Sequence, residues 1–544
     1  MKIDYYKTVK YNTFNEMLYA MYNTYNETIA LKFFNKSKII EITYKDLVEE
    51  IITIYNYFKI NKIKNKNIGI ISENRYEYIT IYLSSVFDNV ICPIDKELTE
   101  DSLKKLVEKF DIDVIFYTNK TKEKISKINK IKTRIINIDE EYKYIIQQKI
   151  NIEHFFKETK KIDKHKFSIL AFTSGTTDEM KGVMLSQYNV LSNLRAAIEN
   201  NNLKTPTLAV LPMNHTYGFN PGVLNTLYNG TTLCLNLELK HITRDLKIFD
   251  PYFIAVVPMM VEGIYKNIIA TAKRTKKYNL LKIMIKISNF LLKLKIDLRH
   301  LFFGNILNKR LRLMVSGGAS LNPIYIEKFN ELGIKILNGY GLTECSPLVA
   351  VNRENNNIPG SVGTIIKDDT VKIEKDGEIL VKGPNIMLGY YKDEKLTKEV
   401  IKNGYFKTGD FGYKKDNILY ITGRKKNLII LENGKNFSPE QIEEKLLQLE
   451  YIKECLITTK KKNKVSIIVA KIYMEEPSDK LKEDIDKINK TLPNYMNIDE
   501  YEIMEKDFEK NSSKKIIRSK YVKWIKKDDE RKLWYNQHKI NIKF

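Results

Sequence analysis

The stretch TSGTTDEMKGVMLS, Thr173 to Ser186, concentrates residue types that can hold a polyphosphate. Thr173, Ser174, Thr176 and Thr177 offer hydroxyl donors, Gly175 and Gly182 let backbone N–H groups approach a ligand, and Lys181 adds a positive charge within reach. The spacing is not G-x-x-x-x-G-K-[ST], so this is not a Walker loop. Asp178 and Glu179 put two negative charges in its middle, the opposite of what a phosphate wants. Further stretches carry complementary chemistry. SGGASLNP (316–323) and NGYGLTECSP (338–347) set Gly-rich backbone beside Tyr340, whose ring can stack on a base, and Glu344, whose carboxylate suits a hard cation such as Mg2+. GYFKTGDFG (404–412) places Asp410 at a turn where it can accept both hydroxyls of a ribose, and Arg424 follows in GRKKN. Taken singly, each of these is equally a turn residue or a surface charge.

The elements that must position these residues are legible as short apolar runs ending in turns. Strands are expected at 68–72, 90–94, 113–118, 167–174, 208–213, 253–258, 312–318 and 334–341, with amphipathic helices such as 100–110 and 322–332 between them. That rhythm predicts an α/β fold of mostly parallel sheets covered by helices. In such sheets ligands collect at the carboxyl ends of strands, where FTSGTT, PMNHT, SGGA and GYGLTE all lie. After residue 355 the Gly turns and short alternating segments predict a smaller antiparallel, barrel-like unit. From GRKKNLIILENGK (423–435) onward a separate small α+β domain is expected, with a helix at PEQIEEKLLQL. The expected division is 1–425 and 426–544. The segment LLKIMIKISNFLLKLKI (280–296) carries Lys282, Lys286, Asn289 and Lys293 on one helical stripe. It either packs on the domain with only those lysines in water or lies in a membrane interface.

The chain has 544 residues, enough for two or three domains, and 43% hydrophobic content, enough for packed cores. Its formal charge of +24 is spread along the sequence rather than gathered in one arm, which favours a compositional origin over a dedicated polyanion site. From Lys510 to Lys543 twelve Lys or Arg face three Asp or Glu, yet no nucleic-acid module is recognisable and no nucleic-acid partner is expected. Cys92, Cys234, Cys345 and Cys455 lie too far apart to form a zinc or disulfide framework. Reduced thiols, a polar N-terminus and the lack of any run of about 20 apolar residues predict a soluble cytoplasmic protein, with a membrane-peripheral variant left open.

Together the motifs resemble those of the adenylate-forming superfamily, which includes acyl-CoA synthetases, peptide-synthetase adenylation domains and firefly luciferase. The matching pieces are FTSGTTDEMKGVMLS, LPMNHTYG, SGGASL, GYGLTECSP, GSVG, GEILVKGPNIMLGYY, YFKTGD, GRKKN and SSKKIIR, in order from residue 172 to 518. The resemblance implies that a carboxylate attacks the α-phosphate of MgATP, giving an acyl-adenylate and pyrophosphate, and that a thiol then displaces AMP. By resemblance the 173–182 loop, including Thr173, Ser174, Gly175, Thr176, Thr177 and Lys181, holds the β- and γ-phosphates. Gly317, Gly318, Ala319, Asn338, Tyr340 and Gly341 line the nucleotide site. Thr343 touches the α-phosphate, Glu344 and Thr176 bind Mg2+, and Asp410 and Arg424 hold the ribose. His215 lies near the acid and the departing pyrophosphate. Lys515 reaches into the site during adenylation, Lys426 is the hinge of the small domain, and Gly434 lets the pantetheine arm of CoA pass.

Asp178 stands where the family usually has Gly, Met180 where it has Pro, and Lys514 where it has Gly. Loss of the Pro raises the cost of ordering the loop, while Asp tolerates a left-handed turn better than most residues. A slower or a degenerate, non-catalytic relative is therefore an alternative. In the acid-binding region NHTYGFNPGVLNTLYNG no acidic residue is present to pair an ammonium, so amino-acid activation is disfavoured. Its apolar residues suit an acyl chain, and ECSPLVAVNRENNNIPGSVG looks most like the long-chain fatty acyl-CoA synthetases. The expected reactants are a fatty acid, ATP and CoA. Alternative partners are an acyl carrier protein, as the thiol acceptor in place of CoA, and an anionic membrane.

Overall fold

The computed structural model describes residues 4–126, 128, 133–173, 180–203, 205–304, 306–319, 321–431, 435–449, 451–462, 465–510 and 516–521. It is a mixed α/β structure, as the run of buried strands predicts. In the first sheet the order is Gly389–Tyr390, Lys181–Ser186, Phe167–Thr173, Val90–Pro93, Asn67–Ile71, Val114–Tyr117 and Arg134–Asn137. The strands from Phe167–Thr173 onward pair parallel, and the first two pairings are antiparallel. Val, Ile and Phe fill these strands because both faces are covered. In the helix Tyr76–Ser85 every residue except Glu77 is buried.

A second sheet has 14 strands among the described residues. Its parallel part runs through Lys335–Gly341, Leu313–Ser316, Phe253–Val256, Thr207–Ala209, Leu233–Leu235 and Ile29–Asn35. The small antiparallel unit expected after residue 355 is present and is joined to this sheet. The joining strand is Lys335–Gly341. Its residues 335–338 pair parallel with Leu313–Ser316, and residues 339–341 pair antiparallel with Leu348–Val351. The strand expected at 208–213 stops at Ala209. Pro212 cannot donate to a ladder, and Asn74 takes up the freed backbone, donating to Leu211 O at 2.9 Å and accepting from Met213 N at 3.0 Å.

Helix ends are fixed by local caps that also brace the interior. Ser186 and Asn189 form a capping box at the start of Gln187–Asn200. The Asn189 amide then donates to the carbonyls of Pro384 (2.7 Å) and Ile386 (2.9 Å), anchoring the segment that leads to Tyr390. Residues 429–498 build a core of their own around Ile442, Leu446, Ile457, Ile468, Ile472 and Leu481. There Glu454–Lys462 pairs antiparallel with Val465–Tyr473, which pairs parallel with Glu500–Met504.

One buried carboxyl gives a pH-dependent prediction. Asp369 Oδ1 and Asn385 Oδ1 have no hydrogen-bond partner, and both oxygens converge on the space beside Gly383. Burial pushes the Asp369 carboxyl up to about 8, despite the bond it accepts from Asn385 Nδ2 at 3.0 Å. Between about pH 4 and 8 the folded state therefore holds a proton that the unfolded chain has lost, so this group makes stability fall as pH rises through that window. Asp369→Asn supplies an N–H in place of that proton. Its melting temperature is expected to exceed the wild type's at pH 8.5, with the gap closing towards pH 5; a gap that is the same at both pH values rules this out.

Candidate nucleotide-binding site

The site builds outward from the joining strand. Ser316 and Asn338 are register partners at the carboxyl ends of adjacent parallel strands. Ser316 Oγ and Asn338 Oδ1 are both buried without a hydrogen-bond partner. Buried polar atoms are normally satisfied, so two open ones side by side suit a ligand with polar edges, as a purine has. Next to them Gly317 is obligatory: a Cβ there would lie 2.8 Å from the Tyr217 ring. That ring is fixed because its phenol donates to the carbonyls of Val256 (3.1 Å) and Val315 (2.9 Å). Gly318 has φ +84°, and Gly318 and Ala319 are both exposed. In the sequence Tyr217 reads, with Phe219, Val223 and Leu224, as one of the apolar residues that suit an acyl chain; its phenol's hold on two strand carbonyls is visible only in the structure. His215 precedes the short Thr216–Phe219 helix, and its carbonyl accepts from Gly218 N and Phe219 N, both at 2.9 Å.

Two residues beyond Asn338, Tyr340 donates to Asp410 Oδ2 at 2.7 Å, and Arg424 Nε donates to Asp410 Oδ1 at 2.6 Å. Asp410 and Arg424 face each other across the antiparallel pair Tyr405–Lys415 and Ile418–Arg424. Asp410 is only 2% exposed. Burial pulls the Arg424 guanidinium down, but the charges of Asp410 and then of Tyr340 and Glu344 more than offset this and raise it. Burial and the Asp410 charge likewise push the Tyr340 phenol up. The structure thus brings Tyr340, Asp410 and Arg424 into one hydrogen-bonded group, with Glu344 close enough to act on it.

Thr343 and Glu344 sit on a short 3-10 turn, Thr343–Cys345, directly after the strand. Glu344 Oε1 accepts from the Tyr390 phenol at 2.8 Å, and the Lys181 ammonium lies 5.2 Å from the centre of the same ring. Tyr390 therefore ties the acidic turn to the strand that returns from the Thr173 loop. It stands in LGYY (388–391), where a Tyr in a strand reads as packing. Among the described residues no group of three or more acidic, His or Cys side chains could hold a metal. Glu344 is a single hard donor, which suits Mg2+ held jointly with substrate phosphates. Under the reaction that the motif resemblance implies, Tyr390→Phe is expected to slow acyl-adenylate formation about tenfold, the worth of one hydrogen bond to a charged group. Pyrophosphate exchange checks it, and an unchanged rate would show that Glu344 is held by other contacts.

Thr173 and Lys181 are register partners at the mouth of their antiparallel pair. Ser174, Gly175, Thr176, Thr177, Asp178, Gly434, Lys514 and Lys515 lie outside the described residues. Gly182 lies within the strand, where a Cβ would meet the Phe110 ring at 2.7 Å, so packing by itself already requires it. Gly341 is required in the same sense, its Cβ position lying 1.9 Å from the Pro347 carbonyl oxygen. Lys426 lies in the turn Lys425–Asn427. Its neighbour Lys425 is tied to Glu378 at 2.7 Å and Asp376 at 3.1 Å. Three residues beyond Lys515, Arg518 donates to Glu443.

The profile of the family described as AMP-binding enzyme matches residues 20–391, and that of the AMP-binding enzyme C-terminal domain matches residues 426–528. The chain belongs to the AMP-binding enzyme family. This AMP-binding enzyme is 29% identical over 317 residues to the long-chain-fatty-acid–CoA ligase FadD15 of Mycobacterium bovis, covering 53% of this chain and 51% of that one. It is 27% identical over 384 residues to the chloroplastic long-chain-fatty-acid–[acyl-carrier-protein] ligase AEE15 of Arabidopsis thaliana, covering 57% and 51%. The chain spans about half the length of the curated relatives it matches. Its fold is similar to that of the anthranilate CoA ligase AuaEII in complex with anthranoyl-AMP, with TM-score 0.77, 17% identity, and coverage of 96% and 97%.

Proposed function

We propose that this AMP-binding enzyme activates a fatty acid with ATP and passes the acyl group to CoA, releasing AMP and pyrophosphate. The observation that carries the reading is a pair of neighbouring contact groups, Tyr340–Asp410–Arg424 and Glu344–Tyr390–Lys181, with the Glu344 charge acting on Arg424. Asp410, freed from part of its present bonding, accepts the ribose hydroxyls, and Tyr340 lies along the base. Asn338 Oδ1 accepts from the exocyclic amine, with Gly317, Gly318, Ala319 and Gly341 as the surrounding backbone. Thr343 donates to the α-phosphate. Thr173, Ser174, Gly175, Thr176, Thr177 and Lys181 hold the outer phosphates, and His215 stands by the acid and the leaving pyrophosphate. Mg2+, when bound to Glu344 and Thr176, spreads the charge that develops on the phosphates. Catalysis of this kind is alignment and charge stabilisation.

In the first step the acid's oxygen attacks the α-phosphorus while Lys515 stabilises the growing charge. The small domain, residues 426–544, then turns about Lys426, Lys515 withdraws, and the CoA thiol arrives past Gly434. The four cysteines are buried and unpaired, which suits a reducing compartment, so the proposed setting is the cytoplasm. A carrier-protein thiol is the second reading, supported by the similarity to the Arabidopsis enzyme and by the basic surface.

The test is mass spectrometry of products from purified protein with MgATP and a mixture of C2 to C20 fatty acids, offered CoA or an acyl carrier protein. A long-chain acyl-CoA is the expected product. Acyl transfer to the carrier alone moves the assignment to the second reading. Binding of ATP with no pyrophosphate released would identify a non-catalytic relative and give Asp178, Met180 and Lys514 that meaning.

A further inference from the structure

The helix Tyr278–Lys293 presents three stripes, which combine the two alternatives open from the sequence, a packed face and a face free for a membrane interface. Leu281 and Ser288 are buried against the domain, and Asn289 donates to Glu331 at 3.0 Å. Lys282, Lys286 and Lys293 are exposed along a second stripe. A third consists of Leu280, Ile283, Ile287, Phe290 and Leu294, spaced i, i+3, i+7, i+10 and i+14 and 47–62% exposed. That periodicity keeps all five on one ridge. Ile296 and Leu301, just past the helix, are also exposed, at 45% and 76%. Large apolar side chains left in water singly are ordinary; a contiguous ridge of them marks an interaction surface.

We infer that this ridge docks on an anionic lipid bilayer, lying along its interface. The charge decides the occupant. Between residues 273 and 296 there are eight Lys or Arg and no Asp or Glu. A second copy of the chain would bring the same positive charge to the same place, so self-association through the ridge is opposed. Anionic headgroups satisfy the lysines while the ridge enters the region just below them. No helix among the described residues is long and apolar enough to cross a membrane, which agrees with a surface mode. The docking needs neither ATP nor acyl transfer, so it stands or falls separately from the proposed reaction.

The experiment is flotation of the full chain with phosphatidylcholine vesicles, with and without about a third phosphatidylglycerol, at physiological and high salt. Wild type is expected to bind the anionic vesicles at least about tenfold better than the neutral ones, with binding weakened by salt. The Ile283→Ser/Ile287→Ser/Phe290→Ser variant removes only exposed side chains. It should lose at least about tenfold of that binding while its melting temperature and its turnover of a short, water-soluble acid stay unchanged. Lys282→Gln/Lys286→Gln/Lys293→Gln should weaken binding most at low anionic content. Equal binding of wild type to both vesicles, or undiminished flotation of the serine variant, overturns the inference. So does light scattering that finds a wild-type dimer which the serine variant splits, or retention on immobilised acyl carrier protein that only the serine variant loses.

Discussion

Asp410→Asn is expected to reduce kcat/KM for ATP by about a thousandfold. In the proposed complex the carboxylate accepts two ribose hydroxyls, and each hydrogen bond to a charged acceptor is worth about 1.5–3 kcal/mol. Asparagine keeps the shape but offers one acceptor atom where the carboxylate has two, and it turns a donor towards the hydroxyls and towards Arg424 or Tyr340. Two bonds of about 2 kcal/mol each correspond to roughly three orders of magnitude. The folded state is affected as well, because Arg424 and Tyr340 both donate to this carboxylate. The Arg424 side chain is 38% exposed and can turn to water, so the loss of stability is held to about 1–2 kcal/mol. Steady-state kinetics in ATP together with a melting curve separate the two effects. A kcat/KM within tenfold of wild type would remove Asp410 from the nucleotide site whatever the melting curve shows.

Gly341→Ala is expected to destabilise the fold by about 3 kcal/mol or more, even though the residue lies in a motif that reads as nucleotide binding. The added Cβ would lie 1.9 Å from the Pro347 carbonyl oxygen and 2.7 Å from its carbon, and backbone cannot step aside as a flexible side chain can. Relief requires the Gly339–Gly341 half of the strand to move off Leu348–Val351, breaking pairing and packing together. Calorimetry should find a melting temperature lowered by several degrees, with ATP binding recovered at low temperature. A variant of unchanged stability that binds ATP poorly would show that the fold absorbs the Cβ and that Gly341 is required for the ligand alone.

The strands of the large domain could be read in the sequence because burial on both faces writes Ile, Val and Leu runs without regard to partners. The polar residues that end them were legible for the same reason, since a switch from apolar to Gly, Ser or Thr marks a strand leaving its sheet. Partnership was not legible. Nothing local to KILNGYG tells that its first half pairs parallel and its second antiparallel, because strand order depends on segments dozens of residues away. Tyr390 was missed, and Tyr217 was read only as an apolar residue suited to an acyl chain, because a hydrogen-bonded phenol and a packed one have the same letter. The packing need at Gly182 was not legible, since a Gly that makes room for Phe110 looks like one that makes room for phosphate. The ridge of Tyr278–Lys293 was half read. Its lysine stripe was clear, but which apolar stripe faces the protein depends on the surface it meets.

The joining strand makes one rigid ruler of the site. Asn338, at its last parallel position, and Tyr340, in its antiparallel half, are separated by a single residue in extended backbone. Under the proposed assignment one edge of the nucleobase is gauged at the first mark and the sugar, through Asp410, at the second. With no joint between the marks, a nucleotide whose base and ribose are spaced differently has to give up one contact to make the other. Combined substitutions at Asn338 and Asp410 should accordingly cost less than the sum of their separate effects, as for two readings taken from one scale.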